Sequence, residues 1–203
     1  MKQASALVLA LLFVGLSTLT VSTQSEAEWT TLIDGSNTNA FTRIGDANWR
    51  VVDEAIQADR GAGFLVSKMP YADFEMRVEF WASAEVNSGV FIRCRDAKTV
   101  GANDCYEVNI FDQRGDQTYR TGAIVYVAEP LAMVNAADQW NMLEITARGS
   151  RLTVRMNGTL TVDVEDGQHA NGPFALQYGI FNAENPDPQA TQGTLKFRSL
   201  QIR

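Results

Sequence analysis

Residues 74–80, with the sequence Phe-Glu-Met-Arg-Val-Glu-Phe, alternate strictly between apolar and charged side chains. Successive side chains of a β-strand point to opposite faces, so this pattern predicts a strand with one face against a core and one in water. Residues 152–156 alternate in the same way and are followed by Asn157-Gly158, a dipeptide that favours a type I′ hairpin turn. Residues 161–164 then return as the partner strand.

Working outward from these segments, the rest of the chain also favours strands. No long window outside the N-terminus shows a helical period of 3.6 residues. Many short strands separated by turn signals predict an all-β fold, with two antiparallel sheets in a β-sandwich or jelly roll. The further predicted strands are 88–93, 106–110, 121–125, 140–147, 174–178 and 195–202. The predicted core contains Phe74, Met76, Val78, Phe80, Leu152, Val154 and Met156.

The composition limits the classes of partner. The 203 residues are 45% hydrophobic and 20% charged, which is typical of a globular protein. The net charge is 17 − 24 = −7, without a basic cluster. Such a chain is unsuited to binding nucleic acid or an anionic membrane surface.

The N-terminus has the pattern of a secretory signal peptide. Lys2 precedes the apolar run 6–19, and the chain becomes polar from Ser22 onward. We expect residues 1–27 to be the signal peptide and residues 28–203 to form one domain. The protein is therefore predicted to be exported, to the periplasm or outside the cell, with no membrane segment beyond the signal peptide.

The chain has two cysteines, Cys94 and Cys105, and one histidine, His169. An oxidising compartment permits a disulfide, whereas two thiols and one histidine are a poor basis for a zinc site. We therefore predict a Cys94–Cys105 disulfide. We expect His169, in a polar turn, to lie at the surface.

A succession of short motifs gives the chain a family resemblance. They occupy residues 33–35, 49–53, 56–59, 87–93, 106–110, 121–124, 172–177 and 196–198. In their order and spacing they resemble the 3-keto-disaccharide hydrolase domain, a family with a lectin- or glucanase-like jelly roll of the concanavalin A type. The chain departs from the pattern at Tyr178, where many members have a histidine nearby, and in the polar stretch 182–193. That stretch is either a solvated loop or a binding element.

The strands 88–93 and 106–110 place polar side chains on one predicted face. If their apolar faces match in an antiparallel pair, Arg93 lies opposite Glu107 and Phe91 opposite Asn109. Such a face can stack on a sugar and hydrogen-bond its hydroxyls, although a simple surface salt bridge has the same pattern. The same register puts Cys94 opposite Tyr106, so it conflicts with the predicted disulfide unless the pairing breaks.

Three carboxylates, Asp73, Glu75 and Glu79, lie just before and along the predicted strand 74–80. They could include a pair of acids for glycoside hydrolysis, but a solvated sheet face explains them more simply.

The resemblance implies cleavage of a glycoside whose sugar is oxidised at C3. A ketone at C3 acidifies the proton at C2, so a base can remove it and the C1 substituent can leave. We expect Glu107 or Asp112 to be the base, Arg93 to hold the enolate oxygen, and Tyr126 or His169 to be the acid. Phe91, Asn109, Tyr126 and Gln177 are the expected substrate-binding residues.

The alternative is a non-catalytic carbohydrate-binding module of the same fold. In both cases the expected partner is a carbohydrate. We expect no cofactor, and the sequence leaves a divalent metal and the oligomeric state open.

Overall fold

The computed structural model describes residues 28–179 and 193–203, which form an almost entirely β fold. The predicted signal peptide, residues 1–27, and nearly all of the polar stretch 182–193 lie outside the described residues. One 3-10 helix, η1, spans Gln117–Tyr119. The strands are β1 Thr30–Ile33, β2 Phe41–Gly45, β3 Arg50–Val52, β4 Ala55–Ala58, β5 Gly63–Ser67, β6 Phe74–Ala82, β7 Ser88–Ile92, β8 Tyr106–Ile110, β9 Trp140–Arg148, β10 Arg151–Met156, β11 Thr159–Glu165, β12 Ala175–Tyr178 and β13 Leu195–Ile202.

The strands form two antiparallel sheets. A large sheet has the order β11-β10-β9-β6-β13-β4-β3, and β1 also pairs with β13. A small sheet has the order β2-β5-β12-β7-β8. This arrangement confirms the predicted two-sheet sandwich. No helix in the described part of the chain is long and apolar enough to cross a membrane.

One apolar core draws side chains from both sheets. The seven predicted core residues of β6 and β10 are all buried. Their apolar faces turn inward because alternation leaves every second side chain on the same side of a strand. Burying each of them contributes about 1.5–3 kcal/mol before entropy is counted. The charged residues between them, including Glu75 and Glu79, lie on the outer face and pair with arginines.

The hairpin between β10 and β11 is also confirmed. Asn157 and Gly158 have φ angles of 52° and 80°, as a type I′ turn requires at both central positions. The prediction of a strand at 121–125 is wrong, because this segment does not form a regular strand. Its backbone runs beside β8, but only Ile124 forms a bridge, with Val108.

The predicted register of β7 and β8 is wrong by two residues. Phe91 lies opposite Glu107, and Gly89 lies opposite Asn109. A shift of two residues leaves every side chain on its face, so the apolar pattern could not distinguish the two registers.

The Cys94–Cys105 disulfide is confirmed. The conflict between it and the predicted register is resolved because β7 ends at Ile92, and Arg93 follows with a φ of 52°. The regular pairing therefore stops before the two cysteines.

Candidate functional site

The outer face of the small sheet, which points away from the core, carries the polar residues of β7 and β8. Val90 and Val108 belong to the core. Alternation therefore turns Gly89, Glu107 and Asn109 outward.

Gly89 lies among these outward-facing residues and contributes no side chain of its own. It is opposite Asn109, and continuing the pairing of β12 with β7 puts Gln177 on its other side. A Cβ atom on Gly89 would lie 3.3 Å from Cγ and 3.4 Å from Oε1 of Glu107. The Glu107 side chain therefore extends over the glycine. We call this region the Gly89 hollow, formed by Asn87, Gly89, Glu107, Asn109 and Gln177.

Glu107 has the most unusual environment of these residues. The residue is only 8% exposed, and within the described chain its carboxylate has no hydrogen-bond partner. Burial raises the pKa of Glu107 from 4.5 to about 7, and the nearby positive charge of Arg114 opposes this rise. A carboxylate with a pKa near neutrality can both take and return a proton at physiological pH.

The amide oxygens of the hollow also have no hydrogen-bond donor among the described residues. Oδ1 of Asn87, Oδ1 of Asn109 and Oε1 of Gln177 are buried without a hydrogen bond among the described residues. The amide nitrogen of Asn109 donates to the Tyr119 carbonyl, so its oxygen is held in one orientation. A buried acceptor without a donor costs about 1–3 kcal/mol. The hollow is therefore suited to a ligand with several O–H donors.

The segment after β8 forms a wall beside the hollow. It carries Arg114, whose Nε is buried without a hydrogen bond among the described residues, and η1 with Tyr119. The Tyr119 ring makes an edge contact with Tyr126, at 5.6 Å between centroids. Tyr126 has a φ of 64° and is 63% exposed. Positive φ at a bulky residue costs energy and is concentrated at functional sites.

Phe91 supplies the apolar part of the face. It is buried, and it packs edge-on against Phe64 at 5.5 Å between ring centroids. Ala175 and the Cys94–Cys105 disulfide belong to the same apolar cluster. Phe91 therefore supports the floor beside Glu107, as an internal packing residue.

Arg93 does not join this group. It is 1% exposed, and its guanidinium donates to the carbonyls of Ala72, Gly149 and His169 and to Asp73. These partners hold together the loops at the end of the sandwich. The predicted pairing of Arg93 with Glu107 is wrong, because the strand ends one residue earlier and the backbone turns at Arg93.

Asp112 also has structural partners. Its carboxylate accepts hydrogen bonds from the Thr121 hydroxyl and from the backbone N–H groups of Ala136 and Ala137. The Arg120 guanidinium lies 3.7 Å away. With its oxygens engaged in this way, Asp112 orders the loops beyond β8.

The expectation of a surface histidine is wrong. His169 is buried, and its ring packs edge-on against Tyr106 at 4.9 Å between centroids. Burial lowers the pKa of His169, which favours the neutral form. Tyr178, at the position where the chain departs from the family pattern, is a core residue whose hydroxyl donates to the Gly193 carbonyl.

Asn87 and Arg114 were missed as individual candidates in the sequence. Asn87 is the first residue of the motif 87–93 and lies two residues before Gly89. Because side chains two residues apart in a strand point to the same face, alternation could have identified it. Arg114 lies in an irregular segment, where no periodicity predicts direction. In the described part of the chain, no three His, Cys, Asp or Glu side chains are grouped so that they could hold a metal ion.

Several solved structures share this fold. A proposed glycosyl hydrolase of Parabacteroides distasonis is 21% identical, with a TM-score of 0.66, covering 87% of this chain and 99% of that chain. A second one from the same organism is 15% identical, with a TM-score of 0.70 and coverages of 86% and 92%. A carbohydrate-binding module of Bacillus subtilis is 18% identical, with a TM-score of 0.56 and coverages of 86% and 94%.

These likenesses establish the jelly-roll fold. No protein among the curated ones matches the sequence significantly. The sequence profile of one family, described as the 3-keto-alpha-glucoside-1,2-lyase-like domain, matches residues 28–203. The match covers most of the chain, which therefore belongs to the family of 3-keto-alpha-glucoside-1,2-lyase-like domains.

Proposed function

We propose that the protein cleaves glycosides whose sugar carries a ketone at C3, with Glu107 as the general base. The observation that carries this proposal is the buried Glu107 carboxylate, which has no hydrogen bond from residues 28–179 or 193–203. Its pKa is about 7, and it lies over Gly89 among buried amide acceptors. The description of the family supports a 3-keto-glycoside as the class of substrate.

The reaction begins with proton transfer. The Glu107 carboxylate takes the C2 proton, and the electrons of the C2–H bond pass to the C3 carbonyl as an enolate. The enolate electrons return to form a C1–C2 double bond while the C1–O bond breaks. The leaving oxygen keeps the bonding pair and takes a proton. Water then adds across the double bond: its oxygen bonds to C1, its released proton passes to the deprotonated acid that protonated the leaving group, and Glu107 returns its proton to C2.

The neighbouring residues have matching roles. Arg114 has a buried Nε–H without a hydrogen-bond partner among the described residues, and it replaces Arg93 as the group that stabilises the enolate oxygen. Asn109 and Gln177 accept hydrogen bonds from sugar hydroxyls. The exposed Tyr126 lies at the rim, where its ring contacts the leaving group and its hydroxyl donates the proton.

A second candidate function is sugar binding without turnover. The three buried amide oxygens favour it, because they can hold a polyhydroxylated ligand whether or not Glu107 reacts. The likeness to a carbohydrate-binding module is compatible with this function.

The test is turnover of 3-keto-trehalose and of a 3-keto-glucoside by the wild type and Glu107→Gln. We expect Glu107→Gln to lower kcat about a hundredfold or more, because glutamine cannot accept the proton. Glu144→Gln is the matched control, since Glu144 lies on the outer face of the large sheet and pairs with Arg77. Its kcat should equal that of the wild type.

The outcomes separate the two functions. Unchanged kcat in Glu107→Gln contradicts the proposed base. Sugar binding by calorimetry with no turnover in the wild type supports the binding module. Parallel reactions with a chelator and with added divalent metal test whether turnover requires a metal ion, which the sequence left open.

We also propose that the protein is exported after removal of residues 1–27. The Cys94–Cys105 disulfide supports this, because such bonds persist in oxidising compartments. Mass spectrometry of the protein from its native host should find an N-terminus between residues 23 and 28, and an intact Met1 would contradict the proposal.

A further inference from the structure

The outer face of the large sheet, opposite the Gly89 hollow, carries three of the four tryptophans. Trp81 of β6 and Trp140 of β9 are directly paired across their strands, and Trp29 lies just before β1. Each has a cation over its ring: Lys196 over Trp81, Arg198 over Trp140, and Arg77 and Arg203 over Trp29. The fourth, Trp49, is buried in the core.

A groove of about 870 Å³ crosses this face beside Trp140. Its floor contains Lys196 and the Arg198–Glu79 ion pair, and Trp140, 38% exposed, lines it. The volume is in the range of small-molecule binding sites, about 300–1,000 Å³. The space is large enough for an oligosaccharide of a few units.

Two turns form the acidic part of the lining. The turn after β1 contributes Asp34, and the turn between β3 and β4 contributes Asp53 and Glu54. The two turns touch closely: a Cβ atom on Gly35 would lie 1.9 Å from the Glu54 carbonyl oxygen. Their relative position is therefore fixed by backbone contact. Within the described chain, the Asp53 and Glu54 carboxylates have no hydrogen bond or ion pair.

The charges of this lining select the chemistry of the occupant. The free carboxylates disfavour an anion, and the cations of the floor disfavour a positively charged ligand. Sugar hydroxyls suit both the carboxylates and the cations of the groove, since a hydroxyl can donate a hydrogen bond to a carboxylate and accept one from a lysine or arginine. The exposed part of the Trp140 indole, whose ring also has the Arg198 guanidinium over it, adds a surface for the C–H groups of a pyranose.

We propose that this groove is a second carbohydrate-binding site, which holds a neutral oligosaccharide on the sheet opposite the Gly89 hollow. Trp140 is the stacking residue, and Asp53 and Glu54 accept hydrogen bonds from hydroxyls. The site anchors the protein to a glycan while the hollow remains open to its own ligand. The inference does not depend on the proposed catalytic function.

The tryptophans make the site observable by NMR. None of the four lies on the outer face of the small sheet, so the indole N–H signals report the large-sheet groove and not the Gly89 hollow. The full chain, labelled with ¹⁵N, is titrated with maltotetraose, cellotetraose and xylotetraose, each to about 10 mM to populate a weak site. We expect at least one of them to shift the Trp140 indole signal, with a smaller change at Trp81 and none at Trp29.

Matched variants test the assignment. Calorimetry of the same sugar should show affinity about tenfold weaker for Trp140→Ala, and unchanged for Trp29→Ala, which removes a tryptophan of the same face outside the groove. Asp53→Asn keeps a residue that tolerates the φ of 48° and should weaken binding about fivefold. Turnover of a 3-keto-glucoside should be the same in these three variants as in the wild type. The binding measurements do not depend on turnover, so they test the groove even if the catalytic proposal fails.

Several outcomes overturn the proposal. They are the absence of an indole shift with all three sugars, a shift that moves Trp29 as much as Trp140, and unchanged affinity in both Trp140→Ala and Asp53→Asn. A dimer in sedimentation that Trp140→Ala dissociates would also overturn it, because the groove would then be a contact between copies of the chain.

Discussion

Glu107→Gln should make the protein more stable at alkaline pH, although it removes the proposed base. The Glu107 carboxylate is buried without a hydrogen bond from the described residues, so its ionised form is held in an unfavourable place. Glutamine has nearly the same shape and no charge. It also adds an N–H donor next to amide oxygens that accept no hydrogen bond from the part of the chain that the structure describes.

The size of the effect comes from the pKa of Glu107. In the folded chain the pKa is about 7, whereas its ordinary value is 4.5. Below pH 4.5 the group is neutral in both states and costs nothing. Between these two values the folded state binds more protons than the unfolded state, so stability falls as the pH rises. Above pH 7 the full cost is present, about 3 kcal/mol for this difference in pKa.

Urea unfolding of wild type and variant between pH 4 and pH 9 measures this difference. The free energy of unfolding of Glu107→Gln minus that of the wild type should rise by about 3 kcal/mol across the range. Glu75→Gln is a control with the opposite sign. Hydrogen bonds from Arg203 and Arg148 lower the pKa of Glu75, so its removal should cost stability at neutral pH, and this cost should become smaller toward pH 4.

A difference between Glu107→Gln and the wild type that does not change with pH would refute the reasoning. It would mean that the carboxylate is solvated or paired in solution. The same result would remove the main support for Glu107 as a base near neutral pH.

The remaining predictions concern the surroundings of the hollow. Arg93→Met should lower the free energy of unfolding by about 3 kcal/mol, measured with urea, because it leaves buried acceptors without a donor; loss of turnover at full stability would instead restore Arg93 to the mechanism. Gly89→Ala should lower turnover about tenfold with a small change in melting temperature, since the new methyl group displaces Glu107; unchanged turnover would show that the position of Glu107 does not matter. The double variant Cys94→Ser/Cys105→Ser should lose about 2–3 kcal/mol of stability, because the unfolded chain gains freedom; equal stability would contradict this.

The apolar alternation of the sequence determined which side chains of this protein face inward. Phe74, Val78 and Val154 are buried where the period of two places them, and Asn157-Gly158 forms the hairpin turn that its preference for positive φ predicts. Both are local properties, because strand geometry and turn conformation depend on a few consecutive residues. The disulfide also followed from the count of cysteines together with the predicted export.

The pairing partner of each side chain was decided only by the tertiary structure. Moving β8 by two residues against β7 exchanges Arg93 for Phe91 opposite Glu107 and leaves every apolar face unchanged. The register depends on where β7 ends, and therefore on the contacts of Arg93 with loops far away in the chain.

The chemistry of Glu107 depends in the same way on distant parts of the chain. Its pKa is set by burial and by the charge of Arg114 in an irregular segment, and neither has a periodic signal in the sequence. The sequence therefore identified the residue types and the face of the sheet. Burial, charge and register arise from contacts between distant residues. They leave Glu107 buried without a hydrogen bond from the described residues, whereas Arg93 and Asp112 are held by hydrogen bonds.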